Sequence, residues 1–236
     1  MHPLEKELRK YATPARAAVN MRFFKTGKGE YGEGDYFLGV TVPDSRSVAR
    51  KFLDTPFSQL ESALESKWHE MRLTALLILV EQYRSKKTTP EKKKEIVEFY
   101  LAHTAGVNNW DLVDLSADKI LGEYLLDFPQ KKKHLYAFAH SKNLWEKRIA
   151  IISTFAFIRK KQFEDTKKIA LLLLHHTHDL MHKAVGWMLR EMGKKDEKVL
   201  MDFLKAHYKK MPRTMLRYSI EKFPEEMRKK YLHGEI

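Results

Sequence analysis

Residues 72–79 read RLTALLIL, and the arrangement returns along the chain: a residue that breaks the apolar pattern, followed by a largely apolar turn or two. Arg72 opens this segment, Trp110 opens WDLVDLSA and Arg148 opens RIAIISTF, each start lying 38 residues after the last. A further 37 residues brings Val185, inside AVGWMLRE, and TMLRYSIE follows from Thr214. Apolar residues at three- and four-residue spacing, in these segments and in RSVARKFL, KKEIVEFYLAH and KKIALLLLHH between them, predict helices almost throughout residues 45–236.

Five such segments, each preceded by another helix, predict an all-α fold of two-helix repeats, a HEAT-like α-solenoid of the ARM-type superhelical kind. One such unit cannot bury its apolar face alone. Stacked units share a core and curve, so the second helices are expected to line a concave groove. The chain then reads as a single repeat domain over 1–236, with an N-terminal helix and Gly-rich loop in 1–44 and the repeats in 45–236. Thr55-Pro56 and Thr89-Pro90-Glu91 each offer a capping hydroxyl followed by a proline at the first helical position. YFLGVTV (36–42) is the one strand-like run. Arg72, Trp110 with Asp114, Arg148, Trp187 with Arg190, and Arg213 with Arg217 all fall in the second-helix slot. A cationic groove interleaved with aromatics is what a surface tracking a nucleic-acid backbone requires.

The composition agrees. Lys and Arg number 44 against 31 Asp and Glu, a net charge of +13, which favours polyanions over other partners. With no cysteine, the 236 residues have neither disulfides nor thiolate metal sites, as suits a reducing cytosol. MHPLEKELRK has no apolar signal core behind it, and IALLLLHHTHDLMH is too short and histidine-rich to span a bilayer. Export and membrane insertion are not expected.

Several stretches resemble sites, and each has a simpler reading. TGKGEYGEGD contains Gly27-x-Gly29-x-x-Gly32, but no strand precedes it, no helix opens at Gly32, and acids crowd the turn where a pyrophosphate would sit. It reads as an ordered loop. His175, His178 and His182 have zinc-like spacing without a third ligand or the glutamate of an HExxH motif, so they read as capping or surface histidines and no metal is expected. The lysine runs 92–94 and 131–133 read as solvated faces. In NNWDLVD (108–114), Asp111 suits a first helical turn, where an acid favours the helix dipole. Asp114 shares a face with Trp110, one turn away, and spacing alone leaves it either structural or functional.

Taken together, NNWDLVD (108–114), LWEKRIAI (144–151), KAVGWMLRE (183–191) and, more loosely, YFLGVTVPDSRSVARKF (36–52) resemble the AlkD-like family of DNA alkylation repair glycosylases. In order and spacing these motifs cover nearly the whole chain, and the pairing of WDxVD with GWxLRE is the specific part. MPRTMLRYSIEKF matches less closely. The resemblance implies a monofunctional glycosylase of base excision repair. It would hydrolyse the N-glycosidic bond of cationic alkylated purines, such as 3-methyladenine and 7-methylguanine, in double-stranded DNA without cutting the strand. It implies Asp114 as the catalytic carboxylate, Trp110 and Trp187 framing the lesion nucleotide, and Arg148 anchoring the backbone nearby. Arg72, Lys183, Arg190, Arg213 and Arg217 are the expected DNA-binding cations. No cofactor is implied, and a monomer in the bacterial cytosol or nucleoid is expected. The alternative on the same scaffold is a non-catalytic DNA-structure binder.

Overall fold

The computed structural model describes all residues, 1–236; its regular elements are helices, with no β-strand. The chain divides into two compact units, Met1–Ile120 and Leu121–Ile236. The first holds α1 (Pro3–Leu8), α2 (Pro14–Phe23), α3 (Val42–Lys51), α4 (Phe57–Leu64), α5 (His69–Arg84), α6 (Pro90–Ala102) and α7 (Trp110–Ser116). The second holds α8 (Glu123–Asp127), α9 (Lys133–His140), α10 (Leu144–Arg159), α11 (Glu164–Leu172), α12 (Asp179–Lys195), α13 (Glu197–His207), α14 (Arg213–Ser219) and α15 (Glu225–His233). No helix is long and apolar enough to cross a membrane.

The five repeated segments fall in α5, α7, α10, α12 and α14, each preceded by the first helix of its pair: α4, α6, α9, α11 and α13. This is an all-α fold of repeated helix pairs, the building unit of an α-solenoid. Within the first unit α5 packs on α3, α4 and α7; within the second, α12 packs on α10, α13 and α14. Among the second helices, α5 and α10 are the most enclosed. Residues 69–80 of α5 are buried without interruption, which is why RLTALLIL shows no polar face. The first helices are amphipathic, as in α4, where Leu60, Ala63 and Leu64 turn inward.

Local signals act as read at α6: the Thr89 hydroxyl accepts from Lys92 N at 3.2 Å, and Pro90 takes the first helical position. At α4 the pattern differs. Pro56 is itself the cap residue, extended at ψ 157°, and the Thr55 hydroxyl donates to the Phe52 carbonyl at 2.7 Å. The helix therefore begins one residue later, without a side-chain cap.

The strand-like run 36–42 pairs with no other strand. Tyr36 makes one isolated bridge to Trp68, and the amides of Leu38, Gly39 and Val40 donate to the buried carboxylate of Glu70 at 2.9, 2.8 and 3.2 Å. A side chain thus takes the place of a neighbouring strand, satisfying backbone groups that burial would otherwise strand. Gly39 sits at φ +81°, and a Cβ there would lie 2.2 Å from the Thr13 carbonyl and 2.7 Å from the Ala17 amide. Gly39→Ala is expected to destabilise the protein by about 2–4 kcal/mol, combining left-handed strain with overpacking. Urea unfolding checks this, and an unchanged midpoint would contradict the packing described. Gly186 does similar service between α12 and α14, where a Cβ would come within 2.5 Å of the Tyr218 Cβ.

Candidate active site

In the first unit, Asn109 caps α7 by accepting from Trp110 N at 2.8 Å, and the helix runs only seven residues before a π-helical turn at Asp118–Gly122. Trp110 and Asp114 lie one turn apart on it, both half-buried. The Trp110 ring lies parallel to Phe24, centroids 5.3 Å apart and planes 8° from each other, and meets Phe23 edge-on at 6.0 Å. Phe23 is 62% exposed, so the aromatic pile reaches solvent. Lys119 lies close to Asp114 along the backbone: its ammonium donates to the Asp114 carbonyl at 3.3 Å and pairs with Asp118 at 2.8 Å. Burial, together with the charges of Asp118 and Asp114, pushes the Tyr100 phenol well above its ordinary value.

Beneath the start of α7 is a buried ionic network. Asp111 Oδ2 is 2.8 Å from His69 Nε2, and His69 Nδ1 is 3.3 Å from Asp35 Oδ2. Arg72 Nη2 donates to Asp35 Oδ1 at 2.6 Å, and Asn109 Nδ2 donates to Asp35 Oδ2 at 3.2 Å. Asp111 does occupy the first turn, accepting from Leu112 N at 2.9 Å, but its second oxygen belongs to the histidine. Periodicity could not disclose this, because the partners lie 37, 42 and 74 positions apart.

Burial opposes the charged form of His69, but the facing carboxylates, Asp111 foremost, outweigh it and raise its pKa from 6.5 to about 9. Burial likewise pushes the Asp35 carboxyl up, and the bond from His69 with the charge of Arg72 brings it below the ordinary value. For a histidine raised on folding, the stabilisation is complete below pH 6.5 and disappears as pH rises through about 9. That interval corresponds to roughly 3 kcal/mol. The wild-type unfolding midpoint is therefore expected to fall between pH 7 and 9.5, while His69→Gln, less stable at pH 7, changes little over the same range. Parallel profiles for the two proteins would refute the assignment.

Two of the cations expected to meet DNA, Arg72 and Arg148, are buried and bonded within the fold. Spacing puts Arg72 on an exposed basic face, but it is 4% exposed, holding Asp35 and donating to the Ser66 carbonyl at 2.8 Å. Arg148 is 5% exposed and donates to the Leu180 carbonyl, tying α10 to α12. Both lie on inner helices, where a guanidinium must find partners inside the fold.

In the second unit, Trp187 is half-buried near Phe155, and its indole N–H donates to Glu191 Oε1 at 3.2 Å. Glu191 also pairs with Arg190 at 3.3 Å and Lys194 at 2.6 Å; Arg190 in turn pairs with Glu221. Glu191 thus braces the Trp187 indole, a contact that its place one turn after Trp187 makes readable from the sequence. Lys183 pairs with Asp179 at 2.7 Å, while Arg213 and Arg217 are exposed on α14. Two of the three candidate histidines of HHTHDLMH are engaged locally: His178 caps α12, accepting from Leu180 N at 3.1 Å, and His182 bonds the His176 carbonyl, while His175 is exposed. The Gly-rich loop turns its acids on its own amides. Glu30 accepts from Gly27 N at 3.0 Å and Glu33 from Gly29 N at 2.8 Å, so those amides are already engaged where a phosphate cradle would need them.

Charge divides unevenly. Residues 1–120 carry 19 of the 44 Lys and Arg and 17 of the 31 Asp and Glu, a net +2; residues 121–236 carry the remaining 25 and 14, a net +11. A basic helical-repeat protein, with an indole and a carboxylate paired on one short helix and a second indole braced within a strongly cationic unit, belongs to the class that handles nucleic acid. The chain belongs to the DNA alkylation repair enzyme family, whose model matches residues 4–223. It has the fold of a predicted DNA alkylation repair enzyme from Enterococcus faecalis, with a TM-score of 0.73 and 18% identity, covering 91% of this chain and 97% of that one. No match was found among curated proteins. Family membership gives the chain an enzymatic role in the repair of alkylated DNA, with DNA as its partner.

Proposed function

We propose that this protein is a monofunctional DNA glycosylase that removes cationic alkylated purines, 3-methyladenine and 7-methylguanine among them, from duplex DNA. The observation that carries the reading is the Trp110–Asp114 pair on α7. Alkylation at N3 or N7 leaves the purine positively charged and already a good leaving group, so no strong general acid is required. The C1′–N9 bond breaks, its electron pair neutralises the departing base, and positive charge develops on the deoxyribose. Asp114 stabilises that charge and orients the water whose oxygen bonds to C1′, and the water's proton passes to solvent. An indole face adds about 0.5–2 kcal/mol of attraction for a cation. In the second unit, Trp187, Lys183, Arg190, Arg213 and Arg217 are the proposed DNA contacts, supported by its +11 charge.

No lysine is singled out as a Schiff-base nucleophile, so the strand is expected to stay intact. The test is chromatography of bases released from methylated duplex, with strand integrity followed on a denaturing gel. Release of 7-methylguanine without nicking supports the reading. Salt-sensitive binding without release would leave a DNA-structure binder in its place.

A further inference from the structure

We propose that His69 is a positioning residue for base excision, fixing through Asp111, and through Asp35 to Asn109, the first turn of the helix that presents Trp110 and Asp114. The inference rests on the glycosylase reading for its activity arm and on the geometry alone for its structural arm. Helix α7 has seven residues, too few to hold its own conformation, and the π-helical turn follows almost at once. Tethers must therefore set its direction: at its end Ser116 bonds the Tyr100 hydroxyl of α6 at 3.1 Å, and at its start there are two, both leading to the network. Asn109 caps the helix with one side-chain atom and reaches Asp35 with the other; Asp111 bonds Leu112 N with one oxygen and His69 with the other.

A third link runs through rings. His69 lies against Phe24 at 4.9 Å and Phe37 at 4.6 Å, and Phe24 is the ring on which Trp110 stacks. The same imidazole thus touches the supports of both functional side chains. Every charged group facing it is accounted for: Asp35 from the loop, Arg72 from α5 and Asp111 from α7. Glu70, next along α5, is committed to the amides of residues 38–40. On the remaining side, Arg16 and Asn20 of α2 line a cavity of about 140 Å³ shared with His69 and Asp111. Two carboxylates and two cations, all buried, balance in charge. Apolar residues of the same volume would fill the space with no desolvation cost, so an ionic solution here is explained by the fixed register it imposes.

The experiment compares wild type, His69→Gln and His69→Gln with Asp111→Asn. The double variant removes the charge mismatch and keeps a hydrogen bond. Single-turnover release of 7-methylguanine and half-saturation by duplex are measured alongside backbone amide exchange. The single variant is expected to lose about 30-fold in rate constant while half-saturation changes less than about twofold, and its amides at 112–116 should exchange faster. The double variant should recover about tenfold. Should His69→Gln not fold, the wild-type pH profile serves: the rate constant should decline near pH 9 without a matching change in half-saturation. A folded single variant with wild-type rate and wild-type exchange in α7 overturns the proposal, as does a flat profile through pH 9.5. A wild type that releases no base defeats the glycosylase reading instead; unchanged exchange at 112–116 would still overturn positioning, and faster exchange would support it.

Discussion

Asp114→Asn should release 7-methylguanine from methylated duplex about 10²–10³-fold more slowly than wild type, a loss of roughly 3–4 kcal/mol of transition-state stabilisation. The change keeps the side-chain volume and removes only the charge. Affinity for duplex should hold or rise slightly, since a negative group near phosphates is lost. Rate and affinity therefore separate, as they would not if Asp114 only braced the fold. Single-turnover kinetics with the released base counted by chromatography, beside a binding titration, decides the matter. A variant that keeps the wild-type rate would remove Asp114 from the chemistry and leave the family's repair role without its proposed centre.

Arg72→Met is expected to destabilise the first unit by about 3–5 kcal/mol, because it leaves the Asp35 carboxylate buried with one cation fewer. Urea unfolding would show it. The same variant separates two roles for this arginine. A phosphate contact would lower the salt dependence of DNA binding by about one charge; a buried partner of Asp35 would leave that slope unchanged. The geometry requires the second result, provided binding is measured where the variant is folded.

The helix pairs were legible because their signal is local and repeated: apolar spacing within each helix, and a fixed interval between second helices. Trp110, Asp114 and Trp187 are candidates by type and spacing, and the structure shows where they sit: the first two one turn apart on α7, the third on α12. The burial of Arg72 and Arg148 was not legible, for one reason. Within a helix, an arginine among leucines and isoleucines looks like the polar edge of a stripe. Whether it faces solvent or a partner inside the fold depends on a segment far away in sequence: Asp35 in the Gly-rich loop for Arg72, and the Leu180 carbonyl for Arg148. His69 was passed over for the same cause, its partners being 34 and 42 positions distant. YFLGVTV had the residues of a strand but no strand beside it, and Glu70 supplied the acceptors instead.

The division of charge, +2 on residues 1–120 and +11 on residues 121–236, gives salt two opposite effects. Added ions screen the attraction for DNA and so loosen binding. They also screen the repulsion among the cations of the second unit and so steady its fold, while the nearly neutral first unit feels little of either. In the proposed reading the phosphate backbone is the second unit's counterion, and bound duplex eases the same repulsion among its cations that added salt screens.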